Sequence, residues 1–149
     1  MLNNIKKRRD SGFTIVELLI VVIVIGILAA ITIVAYTNIS SRAKASTAKA
    51  NAESVQKVVE AYAADDTTAG YPTLAQLNAY NGLSKIPSGV TVNTVALTST
   101  QGDGKTIQYS PKGTTGGCIG YWDAQLAAVT YVYAGNATAG SNTSPFTCT

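Results

Sequence analysis

The side chains able to do chemistry are few in this chain of 149 residues. Histidine is absent, which removes the commonest general base, the commonest metal ligand and any Ser-His or Cys-His nucleophile pair. The two cysteines, Cys118 and Cys148, fall short of a four-ligand zinc site. Serines and threonines abound, but no lysine stands in a pattern that would activate one. Asp65 and Asp66 are adjacent acids behind a helix-forming stretch and read as a solvated turn. Asp103 and Asp123 are too scattered to make a calcium site. Gly102-Asp103-Gly104 and Gly116-Gly117 are turn glycines, because no helix carrying a lysine follows as a phosphate loop requires. Asn38, Asn136 and Asn142 each open a glycosylation sequon, a pattern frequent by chance in Asn/Thr-rich loops. No catalytic residue, cofactor or metal site is expected. One group stands apart: Glu17 is the single charge in segment 13–36. A carboxylate there only adds cost to membrane insertion, so it is a functional residue by default.

The element that must position Glu17 is that segment itself, FTIVELLIVVIVIGILAAITIVAY, in which residues 18–31 are all apolar or Gly. As a helix its 24 residues reach roughly 36 Å. A bilayer's hydrocarbon core is ~30 Å thick. A buried core helix would need protein on every side, more than the rest of the chain supplies. A secretory signal peptide fits poorly too. The run is too long, and Ile27-Leu28-Ala29-Ala30-Ile31 has bulky residues where such cleavage needs small ones. The charge distribution agrees with a membrane anchor. The net charge of +3 resides wholly in residues 1–12, with Lys6, Lys7, Arg8, Arg9 and Asp10. The remaining 137 residues carry seven charges of each sign. Cations ahead of an apolar helix stay in the cytoplasm and send the bulk of the chain outward. A body without positive excess argues against direct nucleic-acid binding.

A basic leader ending in Gly12, then Phe13, then Glu17 four residues later and an unbroken apolar run resembles a type IV prepilin of the short-leader kind. The resemblance covers about the first quarter of the chain, KKRRDSGFTIVELLIVVIVIGILAAI. It implies cleavage between Gly12 and Phe13 by a membrane-embedded prepilin peptidase and N-methylation of Phe13. It also implies that Glu17 is the assembly carboxylate, meeting the Phe13 amine of a neighbouring subunit. One departure concerns the helix-breaking Pro that many such pilins carry about 21 residues after the methylated Phe. Val34 stands there instead, and the nearest helix-weakening residue is Gly26. Gly costs a helix ~1 kcal/mol against ~3 for Pro, so any melted segment in a fibre is expected around 26–33 and to be short.

Beyond the membrane segment, 40–64 lacks Pro and Gly and is rich in good helix formers. Ala45, Ala48, Ala52, Val55, Val59 and Tyr62 recur by threes and fours, one apolar stripe that predicts packing on a sheet of the same chain. Continuous helix over 13–64 would be roughly 78 Å long. The cluster 65–72 ends it, and Thr73 caps a short helix to about Tyr80. Strands are expected in 90–97, 105–109, 118–122 and 127–133, with 98–104 as a hairpin turn. Crossover helices are lacking, so the sheet should be antiparallel, of three or four strands. Two cysteines outside the cytoplasm favour a Cys118–Cys148 disulfide over two free thiols. It would restrain a tail rich in Gly, Asn, Ser and Thr. The resemblance adds that pilins have such a disulfide-bounded C-terminal loop.

The expected fold is α+β, a long N-terminal helix packed on a small antiparallel head. The expected division is a leader at 1–12, a transmembrane and fibre-core helix at 13–36, an amphipathic helix at 37–64 and a head at 65–149. The resemblance implies a structural subunit with no enzymatic activity, anchored in the inner membrane as precursor and extracellular once polymerised into a pilus. Its partners would be copies of itself, the prepilin peptidase, the pilus assembly machinery and, before assembly, the membrane. Adhesion, motility and DNA uptake are its possible end uses. The alternatives are a pseudopilin of a type II secretion system and an unpolymerised single-pass anchor that binds something else.

Overall fold

The computed structural model describes residues 12–65, 70–82, 84–142 and 145–149. The expected leader, apart from Gly12, lies outside the described residues, as do residues 66–69 of the turn cluster 65–72 and the last two positions of the Asn142 sequon. The chain forms two compact units, one ending at Thr37 and one running from Asn38 to Thr149. Helix α1 (Ile15–Asp65, 51 residues) contributes to both.

In the first unit α1 is unbroken through Gly26 and Val34. A lone Gly among Leu, Ile and Ala costs too little to interrupt a helix. Its large apolar side chains are exposed throughout, Ile15, Leu18, Ile23 and Ile31 among them. By length and composition this helix could cross a membrane. Nothing in the unit covers that surface, so water is not the solvent it is built for.

The second unit is built where α1 turns one face to a sheet. Ala45, Ala48, Ala52, Val55 and Val59 are buried as the stripe requires, and Val58 joins them. Tyr62 is only partly buried, its ring set edge-on to Tyr80 at 5.2 Å. Small residues at 45, 48 and 52 allow close approach. The carbonyl of Gly104 accepts a hydrogen bond from Asn51 Nδ2 at 2.9 Å. A Cβ at Gly104 would lie 2.8 Å from the Ala48 nitrogen, and its φ of +75° suits glycine.

The sheet comprises β1 (Thr91–Asn93), β2 (Thr106–Lys112), β3 (Gly116–Asp123) and β4 (Ala128–Gly135), in that spatial order. Strands β2, β3 and β4 are antiparallel neighbours. Ile107, Tyr109, Ile119, Tyr121 and Ala134 meet the α1 stripe in one core. Helix α2 (Leu74–Ala79) adds Leu77, and Thr73 caps it in a reciprocal box with Gln76. The Tyr109 hydroxyl donates to the Pro72 carbonyl at 2.7 Å, and burial pushes its pKa above the usual phenol range.

Two expectations about the sheet are corrected. It is mixed rather than antiparallel, because β1 runs parallel to β2. Residues 98–104 are accordingly no hairpin. The connection 94–105 returns the chain to the starting end of the sheet through a 3-10 turn at Ser99–Gln101, capped by Thr98. A parallel pair needs about a dozen connecting residues, usually helical, and this one manages with a single short turn. The strand expected over 90–97 shortens to Thr91–Asn93 because its second half begins that return.

The C-terminal segment closes the other face. Strands β5 (Gly140–Ser141) and β6 (Thr147–Cys148) form a small antiparallel pair. Cys118 and Cys148 are joined in a disulfide with Cα atoms 5.5 Å apart. Ala137, Phe146 and Tyr131 pack around it, with the Tyr131 and Phe146 rings stacked at 5.7 Å. Buried Gln108 donates through Nε2 to the Val95 carbonyl and to Asn142 Oδ1. Asn142 in turn exchanges two hydrogen bonds with the Leu97 backbone. These contacts tie the return connection to the C-terminal loop.

Candidate functional site

The start of α1 shows how the chain handles a carboxylate beside an apolar run. Thr14 precedes the first helical residue, Ile15, and Glu17 stands three residues after Thr14. The Glu17 amide donates to Thr14 Oγ1 at 3.2 Å. Glu17 Oε2 accepts from both the Thr14 amide and the Thr14 hydroxyl at 2.8 Å. This is a capping box: it satisfies amides that the first turn of any helix leaves without intrahelical partners. The positive end of the helix dipole favours a carboxylate at the same place.

Glu17 lines a shallow groove with Phe13, Leu18 and Val21. Phe13 is 83% exposed, and Gly12 has open space where a Cβ would be. Gly12, Phe13 and Glu17 thus sit on one accessible terminus. The residue that the sequence reading missed is Thr14. Its signal was present, a Thr-x-x-Glu placed immediately before an apolar run.

The other candidate residues lie in the head and are structural in character. The disulfide joins the sheet to the end of the chain, and the Thr149 amide donates to the Ala139 carbonyl at 2.8 Å. Asn142 is committed to Leu97 and Gln108, whereas Asn38 and Asn136 are exposed. Asp103 and Asp123 each accept backbone amides of their own turns. Among the described residues no group of three or more His, Cys, Asp or Glu is placed to hold a metal.

Residues 7–33 match the family model described as the prokaryotic N-terminal methylation motif. That match contains Gly12, Phe13, Thr14 and Glu17 and ends within the apolar helix. Together with an apolar N-terminal helix and a small α+β head, it supports a likeness to the type IV pilin-like proteins. The chain is also similar to the type II secretion system core protein G of Pseudomonas aeruginosa, 31% identical over 84 residues. The aligned part covers 56% of each chain, so this protein spans about half the length of the curated relative it matches. No solved structure matches the chain with significance.

Proposed function

We propose that the protein is the structural subunit of a type IV pilus-like filament, without enzymatic activity. The observation that carries this is the capped carboxylate of Glu17 at the head of an exposed apolar helix, inside the methylation motif. In this reading the leader 1–12 keeps the precursor in the inner membrane with its cations in the cytoplasm. A prepilin peptidase cuts between Gly12 and Phe13 and N-methylates Phe13. Cleavage creates a cationic amine three backbone bonds away from the Thr14 amide nitrogen, on the same terminus as Glu17.

Assembly then transfers segment 13–36 from lipid into a bundle of like helices. An amine and a carboxylate entering an apolar core must pair, since an unpartnered buried charge is strongly unfavourable. Glu17 of one subunit and the Phe13 amine of its neighbour supply that pair. Pairing in one register selects the stagger between subunits. The heads remain outside, each held together by the Cys118–Cys148 bond.

A pilus subunit is favoured over a pseudopilin by the disulfide-closed C-terminal loop. The similarity to a type II secretion core protein favours the second reading, a pseudopilus subunit, built by the same terminal chemistry. The test is the mass and N-terminal residue of the mature protein from its own cell, followed by deletion of its gene. N-methyl-Phe13 and loss of surface filaments with secretion intact support the pilus. N-methyl-Phe13 with lost secretion supports the pseudopilus, and a full-length chain starting at Met1 overturns both.

A further inference from the structure

Arg42 and Lys44 are exposed cations on α1 that form no ion pair among the described residues, where the pair found joins Lys49 to Glu53. They border a double hollow within the head. In its first part Asn38, Ile39, Ser41 and Arg42 line an open cleft of about 450 Å³ with Ala124 and Gln125. The second, about 390 Å³, shares Ser41 and Ala124 and adds Lys44, Thr100 and Trp122. Asp103 also lines it, but one of its oxygens accepts the Lys105 amide at 3.0 Å. Two cations against one carboxylate leave the hollow net positive.

Ile39 lines the hollow, and Leu126 follows the lining residue Gln125 in sequence. The β3–β4 turn is folded by Asp123 Oδ1, which accepts the Gln125 and Leu126 amides at 2.8 and 3.1 Å. That turn presents Leu126, 68% exposed, while Ile39 on α1 is 66% exposed. Hydroxyls and cations beside exposed aliphatic side chains match the chemistry of a phospholipid headgroup and its glycerol. Covalent continuity says where such lipid is met. Asn38 follows Tyr36, the end of the apolar segment, by two residues. Arg42 and Lys44 follow it by six and eight, about 9 and 12 Å of helix rise. Each headgroup layer is about 5–8 Å deep. Side chains on a helix lean toward its N-terminus, and long cationic ones extend back to the interface.

We propose that this hollow is a binding site for an anionic phospholipid headgroup, which seats the head on the outward face of the inner membrane before the subunit enters a filament. The proposal rests on the membrane-anchored precursor put forward above. Its function would be to present every waiting subunit in one orientation, with the site vacated on extraction.

Trp122 is the sole tryptophan and lines the hollow, so it reports occupancy directly. The full chain is reconstituted in phosphatidylcholine vesicles containing equal small fractions of spin-labelled phosphatidylglycerol or spin-labelled phosphatidylcholine. Trp122 quenching is read, and vesicle flotation checks insertion. Each cation near an anionic surface favours it about fivefold. The labelled phosphatidylglycerol should therefore associate at least about fivefold better than the labelled phosphatidylcholine, with a preference that falls as salt is added. Arg42→Gln with Lys44→Gln should abolish the preference, while Lys49→Gln keeps it. Protein that fails to float removes the membrane anchor and the site with it. Protein that floats but shows equal quenching by both lipids, or a preference that survives the double substitution, overturns the headgroup site alone. Quenching that depends on protein density instead of lipid type assigns the hollow to a second copy, which also overturns it.

Discussion

At the scale of single residues, Thr14 and Glu17 share one small structure, and the proposed assembly would use its carboxylate a second time. In the subunit the Glu17 carboxylate already accepts two hydrogen bonds from Thr14, so it is never a bare anion among apolar side chains. Removing it should spare insertion and head folding but not polymerisation. Glu17→Ala is expected to reach wild-type membrane levels and to yield few or no sheared filaments, with Glu17→Asp intermediate because its carboxylate is one methylene shorter. Wild-type filament numbers from Glu17→Ala would discard the charge-pair mechanism. Thr14→Ala loses a helix cap worth about 1 kcal/mol. Its filament yield should fall less than that of Glu17→Ala, and Thr14→Ser should recover it. Gly12→Leu would place a bulky side chain next to the proposed scissile bond. Whole-protein mass should then show uncut chain in the membrane, and a normally shortened product would contradict the leader assignment.

At the scale of elements, the head depends on two closures. The Cys118–Cys148 bond closes a sequence separation of 30, which on the chain-entropy model contributes roughly 3–4 kcal/mol. Cys118→Ser with Cys148→Ser should lower the denaturant midpoint of the head and speed amide exchange at Thr149 and in β5 before any change in α1. An unshifted midpoint would show that packing of Phe146 on Tyr131 suffices. The second closure is the approach of the return connection to α1 at Gly104. Gly104→Val meets both a left-handed φ and the Ala48 backbone. Overpacking of this kind costs about 1–3 kcal/mol, so urea unfolding should show that loss, and Gly113→Val, with no atom within 4 Å of its Cβ, should lose less. Equal losses at the two sites would mean that backbone strain alone sets the cost.

At the scale of the whole molecule, the core contains an alkaline weak point. Tyr109 is fully buried, and that burial raises its pKa above the unfolded value. Folding therefore holds a proton that the unfolded chain releases above about pH 10. Stability from this group is complete below that pH and is lost as pH rises further. Head unfolding followed by circular dichroism should show a midpoint that drops above about pH 10. Tyr109→Phe should be less stable at neutral pH, lacking the bond to Pro72, but should lose less stability than wild type across the alkaline range. A wild-type slope retained in Tyr109→Phe would assign the titration to the other tyrosines whose pKa is raised, Tyr80, Tyr121 and Tyr131.

Much of this molecule was legible along the chain because the governing signals are local. A basic stretch, Gly12, Phe13, Glu17 and an apolar run define the N-terminal segment within about a quarter of the sequence. Three-four spacing over 45–62 places the buried face of α1, and Thr73 with Gln76 starts α2. Even the cap at Thr14 was written in its spacing from Glu17. What only the tertiary structure decided are the pairings between distant segments. The parallel seat of β1, the 3-10 return in place of a hairpin, the burial of Val58 and the link from Gln108 through Asn142 to Leu97 all join residues far apart in sequence. A turn's chemistry names a change of direction but not the strand that the chain meets next. That choice belongs to the shared core, where α1 and the sheet must bury the same surface at once.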